Sequence, residues 1–339
     1  MKRNMNHWLR DLRTSMVKKP IPILSFPSIQ LLGTDVRGLI GSSELLAHGM
    51  EQIADRCQTA AAVSMMDLSV EAEAFGAAVR FTPDEVPTVT GRLVETAGQA
   101  EALAVPAVGA GRTGRYVEAI GKAAGLITDR PVLSGVIGPF SLAGRLLDMT
   151  EIMVKCYDEP ETVHVVLEKS AAFLTEYIQA YRSAGANGVI MAEPAAGLLS
   201  PWLNDEFSTR YVRQIATAVQ DESFLLIYHN CGNTVPLLDS ILANGAGAYH
   251  FGNAVDMENI LSLLPGDVVA MGNVDPAGQF RNGTPASVYQ ATTKLLERCG
   301  KYPNWVISSG CDIPPMTPWE NIDAFFAAVR DYQGKHTGN

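Results

Sequence analysis

Three side chains in this sequence can bind a soft metal ion, and all three follow apolar runs. Leu225-Leu226-Ile227-Tyr228 leads into His229-Asn230-Cys231-Gly232, and Val306-Ile307-Ser308-Ser309-Gly310 leads into Cys311. An imidazole and two thiols supply three of the four bonds that zinc takes. Three protein ligands with one open position describe a catalytic zinc site rather than a structural one. The long gap between the two cysteines matches no zinc-finger spacing, so the reading rests on where the residues fall. The other cysteines, Cys57, Cys156 and Cys299, lie inside helical patterns and read as packing, the usual role of a buried thiol. His250 sits between Tyr249 and Phe251 and reads as core or cavity wall, not as a ligand. Glu193 ends the apolar run before the one bearing His229. It is a candidate catalytic carboxylate, either as a fourth metal ligand or as the partner that orients His229 through its ring N–H.

Such groups converge only if a scaffold brings the run ends together. Short runs rich in Val, Ile and Leu recur at Ile21–Phe26, Ala61–Met66, Val132–Ile137, Gly188–Ala192, Phe224–Tyr228, Ala248–Phe251, Val268–Met271 and Trp305–Ser308. Helix-like stretches separate most of them: Ser43–Gln58, Thr162–Ala184, Asp205–Val219, Val235–Asn244, Met257–Leu263, Ala286–Arg298 and Pro318–Tyr332. Continuous apolar runs suit strands buried on both faces of a parallel sheet. The alternation predicts an α/β fold, a (β/α)8 TIM-type barrel in a single domain over residues 1–339, with a doubly wound sheet as the alternative. The N-terminal stretch to about residue 19 is expected to be a helix, and 69–129 an excursion on the barrel's top face.

A barrel carries its chemistry at the C-terminal ends of its strands. Those ends hold Asp67, Glu193, His229, Cys231, Asn253, Asn273, Asp275 and Cys311. Asp67 is a candidate catalytic group, an acceptor lining the cavity. Asn253, Asn273 and Asp275 are candidate cofactor contacts, although each taken singly reads first as turn chemistry. Glu71 and Glu73 read as solvating a top-face helix. Gly109-Ala110-Gly111-Arg112-Thr113-Gly114 matches G-x-G-x-x-G, but Pro106 interrupts the run before it and the next strand ends in Gly138-Pro139 rather than an acid. It reads as a turn into a helix beginning near Arg115, not as a dinucleotide site.

Composition narrows the classes. Of 339 residues, 47% are apolar and 18% charged, which suits a globule with a sizeable core and not a disordered chain. A formal net charge of −10 argues against a nucleic-acid partner. No apolar run approaches the roughly 20 residues needed to cross a membrane, and Met1 to Lys19 lacks the pattern of a signal peptide. Five irregularly spaced cysteines make no disulfide framework, so a reducing cytoplasmic location is expected.

Several segments together resemble the uroporphyrinogen decarboxylase superfamily, and within it the zinc-dependent cobalamin methyltransferases that include the methylcobamide:coenzyme M enzymes. They are Ser69-Val70-Glu71-Ala72-Glu73-Ala74-Phe75-Gly76, Asp84-Glu85-Val86-Pro87, Gly138-Pro139-Phe140-Ser141-Leu142-Ala143, Glu193-Pro194 with Leu199-Ser200-Pro201, His229-Asn230-Cys231-Gly232-Asn233, Gly272-Asn273-Val274-Asp275-Pro276 and Ser309-Gly310-Cys311-Asp312-Ile313-Pro314-Pro315. The resemblance implies a (β/α)8 barrel and a zinc site at His229, Cys231 and Cys311. It implies methyl transfer between a small molecule and the cobalamin of a separate corrinoid protein. The small molecule would be a thiol acceptor or a methyl-ether-type donor, and the sequence does not choose between them. The decarboxylase branch grips a carboxylate-rich tetrapyrrole with N-terminal arginines, whereas Ile21 to Arg37 holds only Arg37. A metal-free decarboxylase and a non-enzymatic corrinoid or tetrapyrrole carrier remain the alternatives.

Overall fold

Val, Ile and Leu in short runs pack well on pleated surfaces. In the computed structural model, which describes residues 2–337, these runs form a curled parallel sheet. Its strands are β1 (Ala62–Val63), β4 (Val132–Ile137), β5 (Gly188–Ala192), β6 (Leu225–Asn230), β7 (Ala248–Phe251), β8 (Val269–Val274) and β9 (Trp305–Ser309), each beside the next in chain order. A separate antiparallel hairpin pairs β2 (Ala78–Arg80) with β3 (Thr88–Thr90).

Alternate residues of the sheet part into two cores, as the two-residue period of a strand requires. Leu133, Ile190, Ala192, Leu225, Ile227, Ala248, Val269, Met271 and Val306 pack on the inner side. Residues between them, such as Val136, Val189, Leu226, Tyr249, Ala270 and Ile307, pack outward with the helices. Helix α1 (Met5–Thr14) seals one end of the inner core with Met5 and Leu12. Its Trp8 indole donates to the carbonyl of Ala60, just before β1, and Met5 N–H to that of Glu222, just before β6. The helix therefore covers the N-terminal ends of the strands.

The Ile21–Phe26 run differs from its expectation, for it forms no ladder strand. Pro20 and Pro22 flank Ile21, and proline has no N–H to give to a ladder. The segment still lies beside the sheet. Ile21 N–H donates to Ile307 O of β9 at 3.0 Å, Ile313 N–H donates to Ile23 O at 2.9 Å, and Ala60 N–H donates to Pro20 O at 3.0 Å. The Ala61–Met66 run pairs only over Ala62–Val63, because side chains then replace its ladder partners. Ser64 Oγ accepts Gly135 N–H, and the Asp312 carboxylate accepts Met66 N–H. β6 and β8 run further than expected, which carries His229, Asn230 and Asn273 into strands.

The 69–129 interval holds a short helix (Val70–Ala74), the hairpin, a second short helix (Ala97–Ala102) and a longer helix, Thr113–Leu126. That longer helix packs against Ser43–Arg56 and Pro160–Ala184 in the outer layer. Among the described residues, no helix is long and apolar enough to cross a membrane.

Candidate metal centre

Counting by two along the strands assigns the site. Ile227 points inward, so His229 does too; Ala248 carries His250 inward, and Val306 carries Ser308. His229 and His250 are register partners on neighbouring strands. Cys231 follows β6 and Cys311 follows β9, and one donor atom from each of His229, Cys231 and Cys311 lies within 4.8 Å of the others. His229 is 1% exposed, and its Nε2 is buried with no hydrogen-bond partner. Its other ring nitrogen, Nδ1, is 2.8 Å from Nδ1 of His250 and 3.2 Å from the His250 carbonyl oxygen. His250 Nε2 is in turn 2.7 Å from Ser308 Oγ.

The two thiols are pushed in opposite directions. The Cys311 thiol donates to Cys231, and this bond, with help from His229, draws the Cys231 thiol down toward its ionised form. The same bond, reinforced by burial, pushes Cys311 well up. By contrast, burial pushes Cys57, Cys156 and Cys299 each to about 12, as expected of packed, inert thiols. Glycines set the thiol loops. A Cβ on Gly252 would meet the Cys231 Cα at 2.4 Å, and one on Gly310 would meet Asn253 N at 2.8 Å. Asn230 shapes the turn into Cys231 by accepting Gly232 N–H at 2.8 Å and donating to the Glu193 carbonyl at 2.6 Å.

An imidazole nitrogen with a buried, unpartnered lone pair beside two thiols fits zinc in both geometry and donor chemistry. These three residues can hold a metal ion.

The remaining expected site residues fall elsewhere. Glu193 neither approaches the trio as a ligand nor bonds the His229 ring. Its carboxylate accepts Phe140 N–H at 2.6 Å and Ser141 N–H at 3.0 Å, at the start of the helix Pro139–Leu147. Orphan N–H groups at a helix start attract a carboxylate more strongly than a neutral imidazole does. Complete burial nonetheless pushes Glu193 up to about 7. Asp67 is no open acceptor either. Tyr116 Oη donates to it at 2.7 Å and Ser69 Oγ at 2.6 Å, and Arg112 pairs with it directly. Asn273 donates to the carbonyls of Gly252 and Val255, bracing the loop after β7. Asp275 caps the turn Pro276–Arg281 by accepting the N–H groups of Ala277 and Gly278. Asn253 is exposed and rests against Gly310.

Of three further groups, Glu71 departs from its sequence reading, while His250 and the Gly109–Gly114 loop keep theirs and gain partners. His250 is wholly buried against His229, and the two-residue period from Ala248 was the signal that could have placed it there. Glu71 is buried, not solvated, and accepts Ile137 N–H at 3.0 Å. The Gly109–Gly114 loop leads into Thr113–Leu126 and delivers Arg112 to Asp67 and Glu73. Arg112 is therefore the loop's contribution.

Residues 28–332 match the family model described as Uroporphyrinogen decarboxylase (URO-D). The chain belongs to the uroporphyrinogen decarboxylase family. Relatives within the family carry two activities. The methylcobamide:CoM methyltransferase MtbA of Methanosarcina acetivorans is 26% identical over 275 residues, spanning 79% of this chain and 78% of its own. A uroporphyrinogen decarboxylase of Paraburkholderia phytofirmans is 28% identical over 308 residues, spanning 84% of this chain and 81% of its own. Among solved structures, a methyltransferase from Methanosarcina mazei superposes with a TM-score of 0.85 at 23% identity, covering 98% of this chain and 99% of its own, a likeness of fold. The chain's relatives are enzymes, methyltransferases and decarboxylases alike.

Proposed function

We propose that this family member is a zinc-dependent methyltransferase that moves a methyl group between a small molecule and the cobalamin of a separate corrinoid protein. One observation carries the reading: His229, whose Nε2 is buried without a partner, shares a 4.8 Å cluster of donor atoms with two thiols. A metal-free decarboxylase has no use for that arrangement. The MtbA relative supports the same branch.

We read the sheet as a (β/α)8 barrel within one domain, closed by the Ile21–Phe26 segment, whose hydrogen bonds to β9 and to Ala60 support it. His229, Cys231 and Cys311 then lie at the open end, opposite the helix α1 plug. When bound, zinc supplies an open position that lowers the pKa of a thiol acceptor or polarises the oxygen of a methyl donor. The protein's share is orientation and exclusion of water. His229 presents one lone pair, the Cys231 and Cys311 sulfurs supply the charge, and the glycine contacts hold the loops that carry them. Glu193 ties β5 to the start of Pro139–Leu147 and braces the lip beside His229. In this reading the cobalamin comes on a partner protein, in keeping with the MtbA relative.

Metal analysis tests the reading. About one zinc per chain is expected in the wild type and none in Cys311→Ser. A folded, zinc-free wild type that decarboxylates uroporphyrinogen would sink it. Methyl exchange with free cobalamin, followed by absorbance, separates an enzyme from a carrier.

A further inference from the structure

We infer that the Ile21 carbonyl, Ser308 and His250 form a one-way hydrogen-bond relay that fixes which nitrogen of His229 faces the metal, making His250 and Ser308 positioning residues of the site. The inference rests on the zinc reading above for its purpose, although its geometry stands without it.

The direction of every proton follows from the first acceptor. A carbonyl oxygen cannot donate, so the Ser308 hydroxyl gives its single proton to Ile21 O, 2.7 Å away. Ser308 Oγ then has only lone pairs left for His250 Nε2, also at 2.7 Å, so Nε2 carries the proton of His250. His250 is wholly buried and neither ring nitrogen meets a carboxylate, so the ring holds a single proton and its Nδ1 is a bare lone pair. His229 Nδ1 lies 2.8 Å from that lone pair and must be the donor. The proton of His229 is thus on Nδ1, and Nε2 is left with the lone pair a metal needs. The His250 carbonyl, at 3.2 Å, accepts from the same N–H but at a longer range. What the ring adds is rejection of the wrong form. If His229 carried its proton on Nε2, two bare Nδ1 lone pairs would face each other at 2.8 Å in the buried core.

The sheet makes this relay possible. His229, His250 and Ser308 lie on β6, β7 and β9, all facing inward, and Ile21 lies beside β9 because its own N–H bonds Ile307. An imidazole ligand whose second nitrogen is held by a partner is a recurrent device, and losing that partner typically weakens metal binding about 10- to 100-fold. Here the partner is another imidazole, so its own proton must also be directed. Ser308 does that from two residues away, without touching the metal ligand.

The test uses the full chain and zinc alone. Ser308→Ala leaves His250 free to move its proton to Nδ1, which turns His229 the wrong way. Competition against a chelator is expected to give a zinc dissociation constant raised about 10- to 100-fold for Ser308→Ala. Ser308→Thr keeps the hydroxyl and is expected to bind as the wild type does. His250→Asn, whose amide oxygen can accept from His229, is expected to bind more tightly than His250→Leu. Nitrogen-15 spectra of the histidine rings in metal-free protein read the relay itself, and the wild type should show His229 protonated only on Nδ1. A wild-type His229 protonated on Nε2, or a folded Ser308→Ala that keeps both the wild-type tautomer and the wild-type affinity, would overturn the relay. If the wild type binds no zinc, the metal reading fails alone, because the ring spectra still decide the relay.

Discussion

Two polar corners of this protein use similar residue types in opposite ways. Around Arg112 each guanidinium nitrogen has a partner. Its Nε donates to Glu73 at 2.6 Å, its Nη2 donates to Ser69 at 2.7 Å, its Nη1 pairs with Asp67, and its face covers the Phe81 ring. Around His229 the closure stops one atom short. Nδ1 is engaged, Nε2 is buried and free, and two cysteine sulfurs lie beside the ring. Burial of a polar atom without a partner costs about 1–3 kcal/mol. An open position beside two thiols marks the first corner for a ligand, and paired groups mark the second for architecture.

The sharpest way to break this contrast is to open the closed corner. Arg112→Met strands the buried Asp67 charge and is expected to cost about 3–5 kcal/mol in urea unfolding, with zinc content per folded chain unchanged. Loss of zinc without loss of stability would reverse the two roles.

Glu71 is a half-closed case. One oxygen accepts Ile137 N–H, the other is buried and free, and burial pushes the carboxyl from 4.5 up to about 7. Between those values the folded protein keeps a proton that the unfolded chain has lost. Stability therefore falls as pH rises through that window and is level above it, by on the order of 3 kcal/mol for a shift of this size. Glu71→Gln keeps the acceptor without the charge. Its urea midpoint should match the wild type near pH 4 and exceed it at pH 8; parallel pH profiles would count against the assignment.

The smallest effect belongs to Asp275, which closes a helical turn and nothing more. Asp275→Ala is expected to cost about 1 kcal/mol in the same unfolding assay and to leave both zinc content and methyl transfer as they are. A large loss of transfer would return Asp275 to the chemistry.

Much of this was legible in the amino-acid order, and what was not has a physical reason. Seven apolar runs became strands because side chains buried on both faces leave a continuous signature. Ile21–Phe26 read as an eighth, but prolines remove the N–H groups that a ladder needs. His229, Cys231 and Cys311 stood out because each follows a run directly. Glu193 and Asp67 also stood at strand ends, yet their partners were hidden. The N–H groups of Phe140 and Ser141, and the guanidinium of Arg112, are brought near only by chain folding. His250 was read as wall because an apolar run masks a polar inward position. Its neighbours lie on other strands, and no local pattern points across a sheet.

Gly252 and Gly310 have a consequence for how the site is assembled. Because backbone rests on backbone beside Cys231, the thiol loops are held by contacts that exist before any ion arrives. A small zinc module folds around its metal and falls apart under a chelator. Here the ion would enter a finished mould. Stripping and refilling the protein should then leave its circular dichroism untouched, with recovery limited by diffusion and deprotonation rather than by refolding.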